Sequence, residues 1–299
     1  MSVFRLICVL SGLFALGRPA QAQRDFSNVE ITTTQVSGNI YMLHANWGTG
    51  NIAASIGEDG ILIVDDQFAP LAEKITAALQ AVRTGPLKFI LNTHWHGDHT
   101  GGNVEFGPLA PIIAHTNVRK RLTADQQVFN NTIPAAPKAA WPVVTFDTSI
   151  SIHFNGEEIK VVHFPHGHTD GDSIVFFTQS QVIHMGDHFF VGRFPFIDLD
   201  NGGTVQGYTQ NVKSVIDQAA AETKIIPGHG PLATLDDLKT SHRMLVETMH
   251  TVQQAISAGT SLDDMKVAGV PEEWQSWGSG SISTDLWLTL VYQSLTTSQ

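Results

Sequence analysis

The run Thr93-His94-Trp95-His96-Gly97-Asp98-His99 sets three histidines and a carboxylate within six consecutive positions. Imidazole and carboxylate groups are the ligands that zinc and other borderline divalent metals select. The segment before it, Leu87-Lys88-Phe89-Ile90-Leu91-Asn92, reads as a buried strand, being short, apolar and β-prone. Thr100-Gly101-Gly102-Asn103 reads as a turn. The cluster therefore sits on a loop just past a strand end, where α/β sheets place their chemistry. A loop lets several ligands converge from different directions. The alternative, a histidine-rich surface loop, does not account for the matching motifs further along the chain.

The pattern recurs. His166-Gly167-His168-Thr169-Asp170-Gly171-Asp172 comes after the β-like run Ile159-Lys160-Val161-Val162. His184-Met185-Gly186-Asp187-His188 follows Val182-Ile183, and Gly228-His229-Gly230 follows Ile225-Ile226. In each case a strand-like segment ends in glycine with histidine or aspartate. The repetition argues for one site assembled from several strand ends.

The elements that must position this site are legible as hydrophobic patterns. β-like runs cover Val29 to Val36, Asn39 to His44, Ile52 to Ile56 and Ile61 to Val64, separated by turn signals such as Gly38, Gly48, Gly50 and Asp59-Gly60. Leu71 to Val82 has helical spacing. Past the histidine run, a strand is expected at Pro111 to Ala114 and a helix near Asn117 to Leu122. Residues 125 to 142 lack periodicity and hold Pro134, Pro137 and Pro142, so they read as a long loop, often a functional feature in a compact domain. Strands resume at Val143 to Phe146, Ile150 to Phe154, Ile159 to Phe164, Ser173 to Phe177 and Val182 to Met185. A helix at Val205 to Ala221 and a strand at Ile225-Ile226 come next. Asp236 to Ala258 reads as a long amphipathic helix stopped by Gly259, Glu273 to Gly280 as a loop, and Ser283 to Leu295 as a helix. Strands, helix and strands again fit two sheets packed face to face with helices outside.

With these motifs the chain resembles the metallo-β-lactamase superfamily. The resemblance is carried by His94-x-His96-x-Asp98-His99, with His168, Asp187 and His229 following in order, and covers roughly residues 35 to 235. It implies an α/β fold, the four-layer αββα sandwich of that superfamily. It implies two zinc ions per chain. His94, His96 and His168 would hold the first, Asp98, His99 and His229 the second, and Asp187 would bridge them. Many clinical β-lactamases have a cysteine at that bridging motif and a lysine three residues later. Here those places are Asp187 and Phe190. A bridging aspartate looks more like glyoxalase II and the lactonases.

The chemistry implied is hydrolysis of a carbonyl ester or amide. Metal binding lowers the pKa of water from about 15.7 to about 7, which makes a nucleophile available at neutral pH. Asp98 reads as ligand and water-orienting base together. No Gly-x-Ser-x-Gly elbow is present. Three further residues are candidate substrate contacts: Trp47, Arg193 and Tyr208. Trp47 fits either a cover over the site, as in the family, or packing on a sheet edge. Arg193 fits either a substrate carboxylate or the surface. His166, His184 and His188 either orient a ligand through their second nitrogen or cap a strand end, with His188 the reserve ligand. His115 reads as a helix-start residue.

The ends of the chain and its composition narrow the setting. Arg5, the apolar run Leu6 to Leu16 and Ala20-Gln21-Ala22 have the layout of a secretory signal peptide, which predicts cleavage after residue 22. The run is too short for a membrane span. Residues 23–299 are then expected to form one hydrolase domain that includes the C-terminal helices. Cys8, the single cysteine, lies in the signal, so a thiolate ligand is excluded and an oxidising compartment, periplasmic or secreted, is expected. The net charge of −11 becomes more negative without the signal, which carries Arg5 and Arg18 but no acid. That field repels nucleic acid and disfavours a nuclease. The expected partner is a small molecule, with β-lactams the leading class because they act outside the cytoplasm. Ester, lactone or thioester hydrolysis of glyoxalase type is the alternative. A non-catalytic metal-binding protein is disfavoured, because a structural zinc closes with four ligands and seven candidates are present.

Overall fold

The computed structural model describes residues 25–46, 48–128 and 131–297. The signal-like segment 1–22 and Trp47 lie outside the described residues.

The first sheet is built from β1 (Ile31–Ser37), β2 (Ile40–Ala45), β3 (Ile52–Gly57), β4 (Gly60–Val64), β5 (Leu87–Leu91) and β6 (Ile112–His115). A separate hairpin comes next, β7 (Gln126–Val128) and β8 (Asn131–Ile133), and then β9 (Val144–Phe146) returns to the sheet beside β6. The second sheet holds β10 (Ser149–Phe154), β11 (Glu157–His163), β12 (Ser173–Phe177), β13 (Val182–His184), β14 (Lys224–Ile226) and β15 (Ala233–Thr234), in that order. In the first sheet β1 to β4 pair antiparallel, and β4, β5, β6 and β9 parallel. The parallel β13–β14 pair is the corresponding feature of the second.

Side chains alternate across a strand, so each inner strand serves two cores. In β4, Leu62 and Val64 face the opposite sheet while Ile61 and Ile63 face outward. In β12, Val175 and Phe177 face inward and Ile174 and Phe176 face outward. The central core is therefore shared by both sheets, with Ile40, Met42, Leu91 and Ile113 packed on Phe154, Ile159, Val182 and Ile226. Strands covered on both faces read as nearly unbroken apolar runs.

The helices close the outer faces. Helix α1 (Ala72–Val82) lays Ile75 and Leu79 on the first sheet. The short helices α2 (Gly97–Thr100), α3 (Asn103–Phe106) and α4 (Thr116–Leu122) come after β5 and β6. Helix α5 (Val205–Gln218) and helix α6 (Leu235–Ser257) cover the second sheet. α6 starts with a capping box between Thr234 and Asp237 and buries Leu238, Leu245, Thr248 and Val252 on one stripe. Helices α7 (Leu262–Ala268) and α8 (Thr284–Thr296) complete that layer. The C-terminal helices thus share one core with the second sheet: Trp287 and Leu288 pack with Met185, Phe189 and Val212. This is the four-layer αββα sandwich. No helix among the described residues is long and apolar enough to cross a membrane.

Several expectations change. Residues 125–142 are not a structureless loop: they hold the β7–β8 hairpin and a 3₁₀ turn at Lys138–Ala140. Thr100 to Asn103 is not a simple turn, since α2 ends and α3 begins within it. Glu272–Ser279 is a 3₁₀ run in place of the expected loop. β15 and α7 are additional elements, too short to show a period.

Candidate metal centre

Seven side chains converge between the ends of the two sheets. They fall into two groups, His94, His96, His168 and Asp187, and then Asp98, His99 and His229, with donor atoms within 4.8 Å of one another in each. These are the seven residues that the superfamily resemblance implies as ligands. His94, His96, Asp98 and His99 come from the loop and first turn after β5, His168 from the loop after β11, Asp187 from the turn after β13, and His229 from the loop after β14. Two sheets facing each other at one end are what bring these distant loops together; His99 and His229 are 130 residues apart in sequence.

Each imidazole has its outer nitrogen tied down, which fixes the ring and aims the other nitrogen inward. Thr93 Oγ1 lies 3.0 Å from His94 Nδ1. Asp198 Oδ2 lies 2.9 Å from His96 Nε2, so His96 presents Nδ1 to the centre. Asp65 Oδ2 lies 2.7 Å from His99 Nδ1, the Phe196 carbonyl 2.8 Å from His168 Nδ1, and the Gly48 carbonyl 3.1 Å from His229 Nδ1. The inward nitrogens crowd together: His96 Nδ1 and His168 Nε2 are 2.8 Å apart, and His99 Nε2 and His229 Nε2 3.4 Å apart.

The backbone makes room for this crowding. A side chain at Gly228 would put a Cβ 2.2 Å from Asp187 Oδ1, and one at Gly50 would put a Cβ 2.5 Å from His99. Asn51 joins the two halves, donating to the carbonyls of Pro227 and Gly230 at 2.9 Å each. Asp65 and Gln67 hold φ of 66° and 57°, a strained region for side-chain-bearing residues, in the loop that delivers Asp65 to Thr93 and His99.

The donor set fits a divalent metal. His94 Nε2 is buried without a hydrogen-bond partner, and so is Asp187 Oδ1, although His99 Nε2 lies 3.0 Å from it. Buried polar atoms left unpaired are costly unless something else satisfies them. Burial, helped by the His99 imidazole, holds His94 well below its ordinary range, and burial pushes His168 down to about 4. Both therefore offer neutral lone pairs, the form that binds metal. Burial alone would raise Asp187 and Asp98, but the imidazoles of His99 and His229 outweigh it and hold both carboxylates low. Burial opposes charge on His229 too, yet Asp187 and Asp98 push it up to about 10. The carboxylates demand positive charge at the centre, which is what a bound cation supplies.

A cavity of about 640 Å³ opens over this floor. His96, Asp98, Asp187 and His229 reach it, and Asp98 keeps 29% side-chain exposure. Its walls are apolar: Phe68, Trp95, Phe190, Phe194 and Phe196, joined by Val128 and Ile133 of the hairpin and Ile282 and Leu286 from the C-terminal segment. Arg193 is the one Lys or Arg among the lining residues.

The family model described as metallo-beta-lactamase superfamily matches residues 56–244. The chain belongs to that superfamily. Among curated proteins it is 29% identical to the 2,4-dinitroanisole O-demethylase subunit alpha of Nocardioides sp. (strain JS1661), over 54% of this chain and 47% of that one. It is 28% identical to a hydroxyacylglutathione hydrolase of Prochlorococcus marinus (strain NATL1A), over 58% of this chain and 65% of the other. The chain thus spans less than two thirds of each of these relatives. Among solved structures, the metallo-beta-lactamase from Pontibacter korlensis superposes with a TM-score of 0.60 at 17% identity, covering 72% of this chain and 99% of that one. The described residues of this superfamily member carry His/Asp groups able to hold metal.

The remaining candidates separate. Arg193 lines the cavity. Tyr208, expected as a substrate contact, is instead buried at 1% exposure and stacks on His188, because α5 turns that face into the core. His188 belongs to neither donor group: its Nε2 faces Asn211 at 3.1 Å and Asp172 at 3.7 Å behind the His168 loop. His184 Nδ1 accepts from the Gly186 amide, bracing the Asp187 turn. His115 caps α4 by accepting from the Asn117 amide. Asp65, Thr93 and Asp198 are orienting residues that the sequence patterns above do not single out. Asp65 repeats the strand-then-acid signal after Ile61–Val64 and could have been found; Asp198 lies in an apolar stretch with no such signal.

Proposed function

We propose that the protein is a dinuclear zinc hydrolase that cleaves a carbonyl amide or ester bond in substrates with an apolar body. The observation that carries this reading is the convergence of seven inward-aimed donors in two adjoining groups, with buried His94 Nε2 and Asp187 Oδ1 left without partners. His94, His96 and His168 would hold one zinc, Asp98, His99 and His229 the other, with Asp187 between them. Bound zinc supplies Lewis acidity, which polarises a carbonyl and makes water a nucleophile near neutral pH.

The chain's own residues do the rest. Asp98, held as a carboxylate and partly open to the cavity, orients the attacking water and accepts its proton. Orienting bonds at the outer nitrogens of the imidazoles keep the floor preorganised. The phenyl walls exclude bulk water and bind the apolar body of the substrate. Arg193 pairs with an anionic group on that substrate.

β-Lactams are the first class to test, and the fold shared with the Pontibacter korlensis enzyme supports that choice. A second reading, lactone or thioester hydrolysis, is favoured by Asp187 where many β-lactamases have cysteine, and by the similarity to hydroxyacylglutathione hydrolases. Export through residues 1–22, with a mature N-terminus at Gln23 in the periplasm or outside the cell, completes the proposal. A panel of β-lactams, lactones and thioesters on zinc-replete protein is the test. The expected result is turnover of one class, abolished by chelation and restored by zinc. No turnover on any class would overturn the reading.

A further inference from the structure

The β7–β8 hairpin belongs to neither sheet, yet it supplies Val128 and Ile133 to the cavity wall. Besides the packing of Val128 on the Trp95–Val118 cluster and the bonds between Gln126 and Arg121, it is tied to the metal side of the molecule by one buried amide, Asn201. Asn201 Nδ2 donates to the Gln127 carbonyl at 2.7 Å and to Asp198 Oδ2 at 2.8 Å. The same Asp198 oxygen lies 2.9 Å from His96 Nε2. Arg121 holds the other side of the amide, donating to Asn201 Oδ1 at 2.7 Å and to Gln126 Oε1 at 2.9 Å. Arg121 is itself clamped on Asp170.

An amide has two N–H donors and one carbonyl acceptor. Both donors are committed here, one to the cavity wall and one to the carboxylate that orients His96. Asn201 and Asp198 are 3% and 2% exposed, so the bond between them is shielded from water. The local backbone is shaped for this node. Gly202, with φ 83°, follows Asn201, and a side chain there would put a Cβ 2.8 Å from that of Asp170.

We infer that Asn201 is a positioning residue that couples the hairpin wall of the cavity to the His96 side of the metal centre. The physical route is a shared acceptor. When His96 Nδ1 binds a metal, its Nε2–H becomes a stronger donor to Asp198 and the carboxylate is fixed more firmly. A fixed Asp198 fixes Asn201, and Asn201 holds the Gln127 carbonyl. In the opposite direction, a hairpin displaced by a bulky substrate loosens His96. Asn201 thus links the wall that selects substrate to the floor that performs chemistry.

This rests on His96 being a metal ligand, so the experiment reads that separately. Chelated wild-type protein is titrated with Co²⁺, and binding is followed by its visible absorption. Hydrogen exchange of the amides of 126–133 is measured before and after loading. The expected result is cobalt uptake with exchange in the hairpin slowed about tenfold or more. In Asn201→Leu, cobalt affinity should fall about tenfold, the lower end of the scale for disturbing a ligand's outer partners, because Asn201 acts through Asp198. Cobalt should then no longer slow the hairpin, while near-ultraviolet circular dichroism keeps its native form. Asn201→Asp, which keeps the shape but loses both donors, should behave likewise. No cobalt uptake by wild type would sink the functional reading and this one with it. Cobalt uptake with unchanged hairpin exchange would overturn the coupling alone. So would a folded Asn201→Leu protein with affinity within about twofold of wild type, well short of that scale. If neither variant folds, the wild-type exchange comparison decides.

Discussion

The floor of the cavity and its walls follow different rules. The floor is polar and buried, and its imidazole rings are fixed by a second bond to Thr93, Asp198, Asp65, Phe196 or Gly48. The walls are apolar, drawn from the β7–β8 hairpin, the Phe190–Phe196 segment and the C-terminal residues Ile282 and Leu286, with Arg193 the one Lys or Arg among the described lining residues. The floor is assembled from the strand-end loops of both sheets, and the walls from the hairpin and from segments that follow the metal-site loops. In the proposed reading the floor carries the reaction and the walls contact the substrate, with Asn201 joining the hairpin wall to the His96 side of the floor.

The largest effect is expected at the floor. Asp98→Asn keeps size and removes the negative charge that faces His229 at 3.3 Å. Turnover should fall by roughly a hundredfold or more, the scale for losing a positioned base, with circular dichroism unchanged because the site stands on loops above the sheets. Near-normal turnover in the folded variant would place Asp98 outside the chemistry. A smaller and different effect is expected at the wall. Arg193→Ala should raise KM about tenfold for anionic substrates, a charge-assisted contact discounted for solvent screening, and leave kcat and neutral substrates nearly unchanged. Equal losses on neutral and anionic substrates would show that Arg193 acts on the fold and not on charge.

The same division governs what can be read from the sequence. The donor-bearing motifs are legible because metal chemistry restricts residue type and because each motif follows a strand-like run; which seven residues in them are the donors comes from the superfamily resemblance, since His184 and His188 occupy similar places. The inner strands are legible because strands covered on both sides need apolar residues at every position, as in Ile61 to Val64, and the edge strand β10 because it alternates. The wall is not. Val128 and Ile133 sit on a hairpin whose three-residue strands carry no period, within a proline-containing stretch that reads as loop. Tyr208 looks like a contact until α5 is oriented, which only packing against the second sheet decides. Asp198 follows an apolar run with no histidine or glycine beside it, and its meaning depends on a partner 102 residues away.

The smallest expected effect lies outside both floor and wall. His115 on β6 and His163 on β11 stack face to face, with ring centroids 3.7 Å apart, and so link the two sheets. Asp147 and Asp170 lie near them, and the Asp172 carbonyl faces His163 Nδ1 at 2.8 Å. Burial keeps both imidazoles below the ordinary value of 6.5, despite those acids. The unfolded chain then binds more protons than the folded one as pH falls below 6.5, so the stabilisation is complete above that value and is lost below it. Melting temperature should drop by a few degrees between about pH 8 and about pH 5, and His163→Phe, which stacks without titrating, should reduce that drop. An identical drop in the variant would mean that other groups carry it.

The central claim is that two metals sit side by side on the floor. Elemental analysis of purified, zinc-replete protein tests it directly. Seven donors in two adjoining groups predict a plateau close to two zinc equivalents per chain. A firm plateau at one would contradict the dinuclear site and the mechanism built on it.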